Sequence, residues 1–238
     1  MFPLLNNIKA VLFDFDDTLV NVHDAVNAAT YMIATMFSNK FNLSIFPIID
    51  TLRGIHREMV QRGILNRNEW WYRLFSLYGI NVDLDFMNLL TKKYWDIIIR
   101  YTYVDPETIT ILNYLRSCNY KLGIISNTDG YPGMKMRRIR NALPTELFSV
   151  IIIAGEDTME LKPSPEPFNL ALKKLGLNGY ESMYIGDDPN HDIAGAKAVN
   201  MITAILKSTP NNKDYGSLKP DIEIRSLREL LKLLRCYY

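Results

Sequence analysis

Ile8-Lys9-Ala10-Val11-Leu12-Phe13-Asp14-Phe15-Asp16-Asp17-Thr18 is a short apolar run that ends abruptly in carboxylates. Its apolar part, Ile8 to Phe13, has the length and composition of a strand buried on both faces, as strands of a parallel sheet are. Ligands of open parallel sheets bind beyond the carboxyl ends of the strands, so Asp14, Asp16 and Thr18 stand where chemistry is expected.

Downstream, Asn21 is placed to cap a helix reaching about Asn39, with Asp24 in its first turn and Val22, Val26, Ala29, Ile33 and Phe37 at helical spacing. From there to about Tyr103 the pattern predicts further amphipathic helices, carrying Trp70, Leu74 and Leu77, then Phe86, Leu89, Leu90 and Ile97. At Asp105-Pro106 the texture changes: Asp is a good N-cap, Pro suits the first helical position, and Ile109, Leu112 and Leu115 form a buried stripe. Strands are then expected at Lys121 to Ile125, Val150 to Ala154, Met183 to Ile185, Ile202 to Leu206 and Ile222 to Ile224. Helices are expected near Lys135 to Ala142, Pro165 to Leu175 and Pro189 to Val199, with a last one beginning near Ser226. Strands alternating with helices argue for right-handed crossovers, and the first strand must join the same sheet. The fold class is therefore α/β, a Rossmann-like parallel sheet with helices on both faces. Its core is residues 1–20 and 104–238, interrupted by a helical cap over 21–103.

The composition suits this reading: of 238 residues, 48% are hydrophobic and 22% charged, which excludes disorder and coiled coil. Lys plus Arg number 27 against 26 Asp plus Glu, a net charge of +1 that supplies no field for nucleic acid or anionic lipid. Neither partner is expected, so function must come from a local site. No stretch approaches the roughly 20 apolar residues of a membrane span. Lys9 and Asp14 interrupt the apolar N-terminus, and the cytoplasm is the expected location. Cys118 and Cys236 lack metal-ligand spacing and read as thiols in a reducing compartment.

Residues after the other strands share the first strand's theme. Ser126-Asn127-Thr128 follows the second, Lys162 in Leu161-Lys162-Pro163 follows the third, and Gly186-Asp187-Asp188 with Asp192 follows the fourth. Carboxylates gathered on one rim raise one another's pKa values unless a cation sits among them. All-oxygen ligands that keep several waters favour magnesium over zinc.

This constellation resembles the haloacid dehalogenase-like (HAD) hydrolase superfamily. The first motif of that family, Asp-x-Asp-x-Thr, is matched by Asp14, Asp16 and Thr18, the second by Ser126 with Asn127, the third by Lys162, and the fourth by Gly186, Asp187 and Asp192. The helical insert between the first and second motifs resembles the subgroup that carries an α-helical cap there. The resemblance implies a phosphatase in which Asp14 attacks phosphorus and Asp16 protonates the leaving alcohol and then activates water. It implies magnesium on the Asp14 carboxylate, the Asp16 main-chain oxygen and the Asp187 carboxylate, with Asp188 and Asp192 in the outer shell. Ser126 and Lys162 would bind the phosphoryl group, with Thr18 and Asn127 as supporting hydrogen-bond partners. The expected partner is a small phosphorylated metabolite. A phosphomutase or other phosphotransferase on the same scaffold is the alternative. A 2-haloacid dehalogenase is disfavoured because the dehalogenases lack the second Asp, present here as Asp16, and a phosphoryl-accepting module is disfavoured by the long insert.

Other features have plainer readings. Lys135, Arg137, Arg138 and Arg140 form a basic cluster with Met136, Ile139 and Leu143 on the opposite helical face, the pattern of a solvated amphipathic helix. His23, His56 and His191 show no metal-ligand pairing. Arg53, His56, Arg57, Trp70 and Tyr72 are candidates to face a substrate, but aromatic residues at helical spacing more often pack.

Overall fold

Ala10, Val11, Leu12 and Phe13 are wholly buried and form β1 (Ala10–Phe13). In the computed structural model, which describes residues 5–207, 218–234 and 236, β1 pairs in parallel with β2 (Lys121–Asn127) on one side and β4 (Ser182–Gly186) on the other. Beyond β2 lies β3 (Val150–Ala154), and beyond β4 lie β5 (Ile202–Leu206) and β6 (Ile222–Ile224). All five pairings are parallel. The chain therefore builds outward from β1 in one direction, then returns to the other side of β1 at β4. That reversal is a topological switch point, where neighbouring connections diverge and leave a crevice. The register sets Phe13 beside both Ile124 and Ile185, so the residues following β1 and β4 emerge at one rim.

Helices cover both faces of the sheet. Ile111, Leu112 and Leu115 of α5 (Pro106–Ser117; the preceding α1 to α4 follow below) and Ile139 of α6 (Met134–Ala142) join Val11, Phe13, Leu122 and Ile124 in one apolar cluster. Phe168, Ala171 and Leu175 of α7 (Pro165–Leu175) and Ala196 of α8 (Ala194–Ala198) join Leu12, Ile125 and Tyr184 in another. Leu230 of α9 (Leu230–Leu233) returns to the first. Local chemistry fixes the helix ends. Asp105 accepts from the Glu107 N–H, Ser164 accepts from the Glu166 N–H, and a proline opens each of these helices.

A second unit comprises Val22–Tyr103 together with Asp129–Met134. It holds α1 (His23–Phe41), α2 (Ile45–Gln61), α3 (Arg67–Leu77) and α4 (Leu84–Tyr101) around its own core, which includes Ile33, Phe37, Ile48, Leu52, Trp71 and Leu90. Asp83 caps α4 by accepting from the Phe86 N–H at 2.9 Å. The Arg67 guanidinium lies 3.7 Å from the ring centre of Trp70. Among the described residues, no helix is long and apolar enough to cross a membrane.

Some expectations need correction. Val22, not Asn21, occupies the N-cap of α1 and makes no side-chain capping bond. Leu77 and Leu89, placed on apolar stripes, are exposed. The helix expected at Pro189 to Val199 opens as a π-type turn, Pro189–Ile193, before α8. Cys118 and Cys236 are a disulfide, not thiols, with Cα atoms 4.6 Å apart. Their spacing in sequence could not reveal that the ends of α5 and α9 meet. The basic cluster is not one solvated face either: Arg137 and Arg140 are exposed, but Lys135 and Arg138 are buried.

Candidate active site

The rim above β1 and β4 collects side chains from four chain segments. Asp14 leaves the end of β1, and Asp187 and Asp192 follow β4. Carboxylate oxygens of these three residues lie within 4.8 Å of one another. Lys162 is buried among them, with Nζ donating to Asp14 Oδ1 at 2.7 Å, Asp192 Oδ1 at 2.7 Å and the Tyr184 hydroxyl at 3.1 Å. Tyr184 is placed to donate to the Ile125 carbonyl at 2.9 Å. Asn127 holds the Lys162 main chain from both sides: its Oδ1 accepts from the Lys162 N–H at 2.8 Å and its Nδ2 donates to the Lys162 carbonyl at 3.4 Å.

Asp192 is fixed as firmly, because its Oδ2 accepts from the Asp188 N–H at 3.1 Å. The Asp188 carboxylate turns away from the cluster, accepting from the N–H groups of Asn190 and His191 as the cap of the turn that follows. His191 beside it holds the Asp188 carboxyl well below the usual range. Ser126 and Thr18 are buried, and the Thr18 hydroxyl has no hydrogen-bond partner among the described residues.

The second carboxylate of the first motif is held elsewhere. Asp16 is gripped by Lys135 and Arg138, three residues apart on α6 and so on one helical face. Burial opposes its charge, but Arg138 and Lys135 outweigh it and hold the carboxyl well below the ordinary value. Asp14 is the reverse. Burial, reinforced by the Asp192 charge and opposed by Lys162, pushes it up to about 6. Burial works against the Lys162 ammonium, yet Asp14 and Asp192 tighten its hold on the proton.

Three crowded carboxylates against one ammonium leave excess negative charge, and every donor atom is a hard oxygen. That set suits a divalent cation of the magnesium type. Asp14, Asp187, Asp192, Lys162 and Asn127 are brought together as the motif spacing suggests, and the Asp16 carboxylate is held by Lys135 and Arg138 of α6. The sequence assigns Lys135 and Arg138 to a solvated helical face rather than to the site, and it does not single out Tyr184. The signal for the first pair was two cations one turn apart on a helix that starts just after Ser126-Asn127-Thr128.

Known proteins resemble the chain over nearly its whole length. The chain is 30% identical over 242 residues to glyceraldehyde 3-phosphate phosphatase of Methanocaldococcus jannaschii, covering 96% of this chain and 97% of that one. It is 26% identical over 238 residues to pyrophosphatase PpaX of Bacillus cereus, covering 95% and 96%. The crystal structure of the HAD-hydrolase YfnB of Bacillus subtilis bound to magnesium superposes with a TM-score of 0.76 at 22% identity, covering 95% of this chain and 98% of that one. The family model for haloacid dehalogenase-like hydrolases matches residues 8–200. With the four motif segments meeting at one rim of a parallel sheet, the chain belongs to the haloacid dehalogenase-like hydrolases.

Proposed function

We propose that the protein is a magnesium-dependent phosphatase that hydrolyses a small phosphorylated metabolite through an aspartyl-phosphate. The observation that carries this reading is the division of labour at the rim. Asp14 lies with Asp187, Asp192 and Lys162, while the Asp16 carboxylate is held separately. Asp14 attacks phosphorus and the bond to the leaving oxygen breaks, with Asp16 giving that oxygen a proton. Water then attacks the phosphorus of the aspartyl-phosphate, Asp16 takes the water proton, and the bond to Asp14 breaks. Lys162 and Ser126 offset charge on the phosphoryl oxygens, and Asn127 keeps Lys162 in place. Magnesium held by Asp14, Asp187 and the Asp16 main-chain oxygen would screen an anionic phosphate from an anionic nucleophile.

Glyceraldehyde 3-phosphate and pyrophosphate, the compounds in the relatives' names, are the first to test beside a panel of monoesters. Release of inorganic phosphate is the readout. Asp14→Asn is expected to lower the rate by about 10³-fold or more, and chelation of magnesium is expected to abolish it until the ion is restored. Full activity in either case overturns the mechanism.

A further inference from the structure

Lys135 and Arg138 bring two cations that the phosphatase reading does not use. Their side chains are only 5% and 4% exposed. A buried charge is costly unless it is paired and hydrogen-bonded, and here both meet Asp16. Lys135 Nζ donates to Asp16 Oδ2, Arg138 Nη1 donates to the same oxygen at 3.1 Å, and Arg138 Nη2 donates to Oδ1. The buried Phe15 ring lies beside both cations, 5.8 Å from the ammonium and 5.5 Å from the guanidinium.

Each carboxylate oxygen has two lone pairs. Those on Oδ2 are both taken, by Lys135 and Arg138, whereas among the described residues Oδ1 accepts from Arg138 and has room for one more bond. The planar guanidinium spans both oxygens and fixes the plane of the carboxylate, which a single ammonium could not do.

We propose that Lys135 and Arg138 are positioning residues of the reaction, which fix the Asp16 carboxylate and present Oδ1 as the one atom through which protons pass. In the hydrolytic step Oδ1 takes a proton from water as the water oxygen bonds to phosphorus and the bond from phosphorus to Asp14 breaks. This assignment rests on the phosphatase reading above.

A double-mutant cycle tests it. Arg138→Met and Lys135→Met are each made in the wild-type and Asp16→Asn backgrounds, and kcat and KM are measured separately with an alkyl phosphate and with 4-nitrophenyl phosphate. In the wild-type background Arg138→Met is expected to lower kcat for the alkyl ester by about 10- to 100-fold, within the range of general acid-base catalysis, with KM changed less than about twofold. With Asp16→Asn the further loss is expected to be under about twofold, because a residue acting only through Asp16 has nothing left to position. Arg138→Lys, which keeps the charge and loses the fork, is expected to restore part of the rate. Equal losses in both backgrounds, no loss, or a change confined to KM overturns the assignment. Should Arg138→Met fail to fold by circular dichroism, Arg138→Lys and Lys135→Gln support the same comparison. If the wild type releases no phosphate, or Asp14→Asn stays active, the phosphatase reading fails and takes this role with it. If the wild type is active, Asp14→Asn is inert and the losses add, only the positioning role fails.

Discussion

Asp192 is held at both oxygens, accepting from Lys162 at Oδ1 and from the Asp188 N–H at Oδ2, with the Tyr184 hydroxyl 3.2 Å from Oδ1. It has room to do so because Gly186 carries no side chain. A β-carbon there would stand 2.2 Å from Asp192 Oδ2. Gly186→Ala must therefore push Asp192 away from Lys162. The expected cost is about 1–3 kcal/mol of stability, read by denaturant unfolding, together with a fall in kcat. A variant that matches wild type in both would show that the carboxylate moves freely. At this scale the motif carboxylates were legible because each follows a strand whose end is fixed by the sheet. Lys135 and Arg138 were not, since their burial is decided by Asp16, 119 residues from Lys135 in the chain. Local periodicity assigned their helix an apolar face from Met136, Ile139 and Leu143 and sent every charge to solvent. The long-range ion pairs keep two of them inside.

Among the elements, α2 and α3 meet where His56 packs edge-on against Trp70, ring centres 5.1 Å apart. Burial lowers the His56 pKa to about 4, and Arg67 and Arg57 add to the effect. The folded pKa lies below the ordinary imidazole value of 6.5, so between these values the unfolded chain binds more protons. Stability from this residue is present above about pH 6.5 and is lost as the pH falls toward about 4. After solvent screening of a partly exposed ring the expected loss is about 1–2 kcal/mol, and His56→Leu should remove that pH dependence. The three tryptophans of the chain, Trp70, Trp71 and Trp95, all lie in the helical unit. Their fluorescence during urea unfolding at about pH 5 and pH 7.5 reports on it directly, and an unchanged slope in His56→Leu would refute the account. Elements bounded by strong local signals were read correctly. Val150–Ala154 and Ile202–Leu206 are short apolar runs, and Pro165–Leu175 has a serine cap, a proline start and a glycine stop. The region after Gly186 was read as one helix because Asp188-Pro189 resembles an ordinary start. Its first turn is instead widened where the Asp188 side chain and Asp192 exchange bonds with the backbone.

For the molecule as a whole, the parallel sheet was legible from the alternation of strands and helices. The return of β4 to the flank of β1 was not, since strand order depends on pairings that no local pattern records. The Cys118–Cys236 bridge was hidden in the same way. It closes a loop between residues 118 positions apart and restricts the unfolded chain, so Cys236→Ser or reduction is expected to lower stability by about 2–4 kcal/mol. Thermal unfolding with and without reductant measures this, and two thiols titrating in untreated protein would refute the pairing. The central place of β1 also bears on how the protein is made. It leaves the ribosome before its partners β2 and β4, the last of which follows on the order of ten seconds afterwards at ordinary rates of synthesis. Until β2 arrives both edges of β1, and until β4 arrives one of them, offer unpaired amides and carbonyls to any neighbouring chain. The helices encoded between β1 and β2 emerge during that interval, whereas Asp187 arrives only after β4. A nascent polypeptide is therefore inert until Asp187 has been added, and termination before β4 yields a sticky fragment rather than a partly working enzyme.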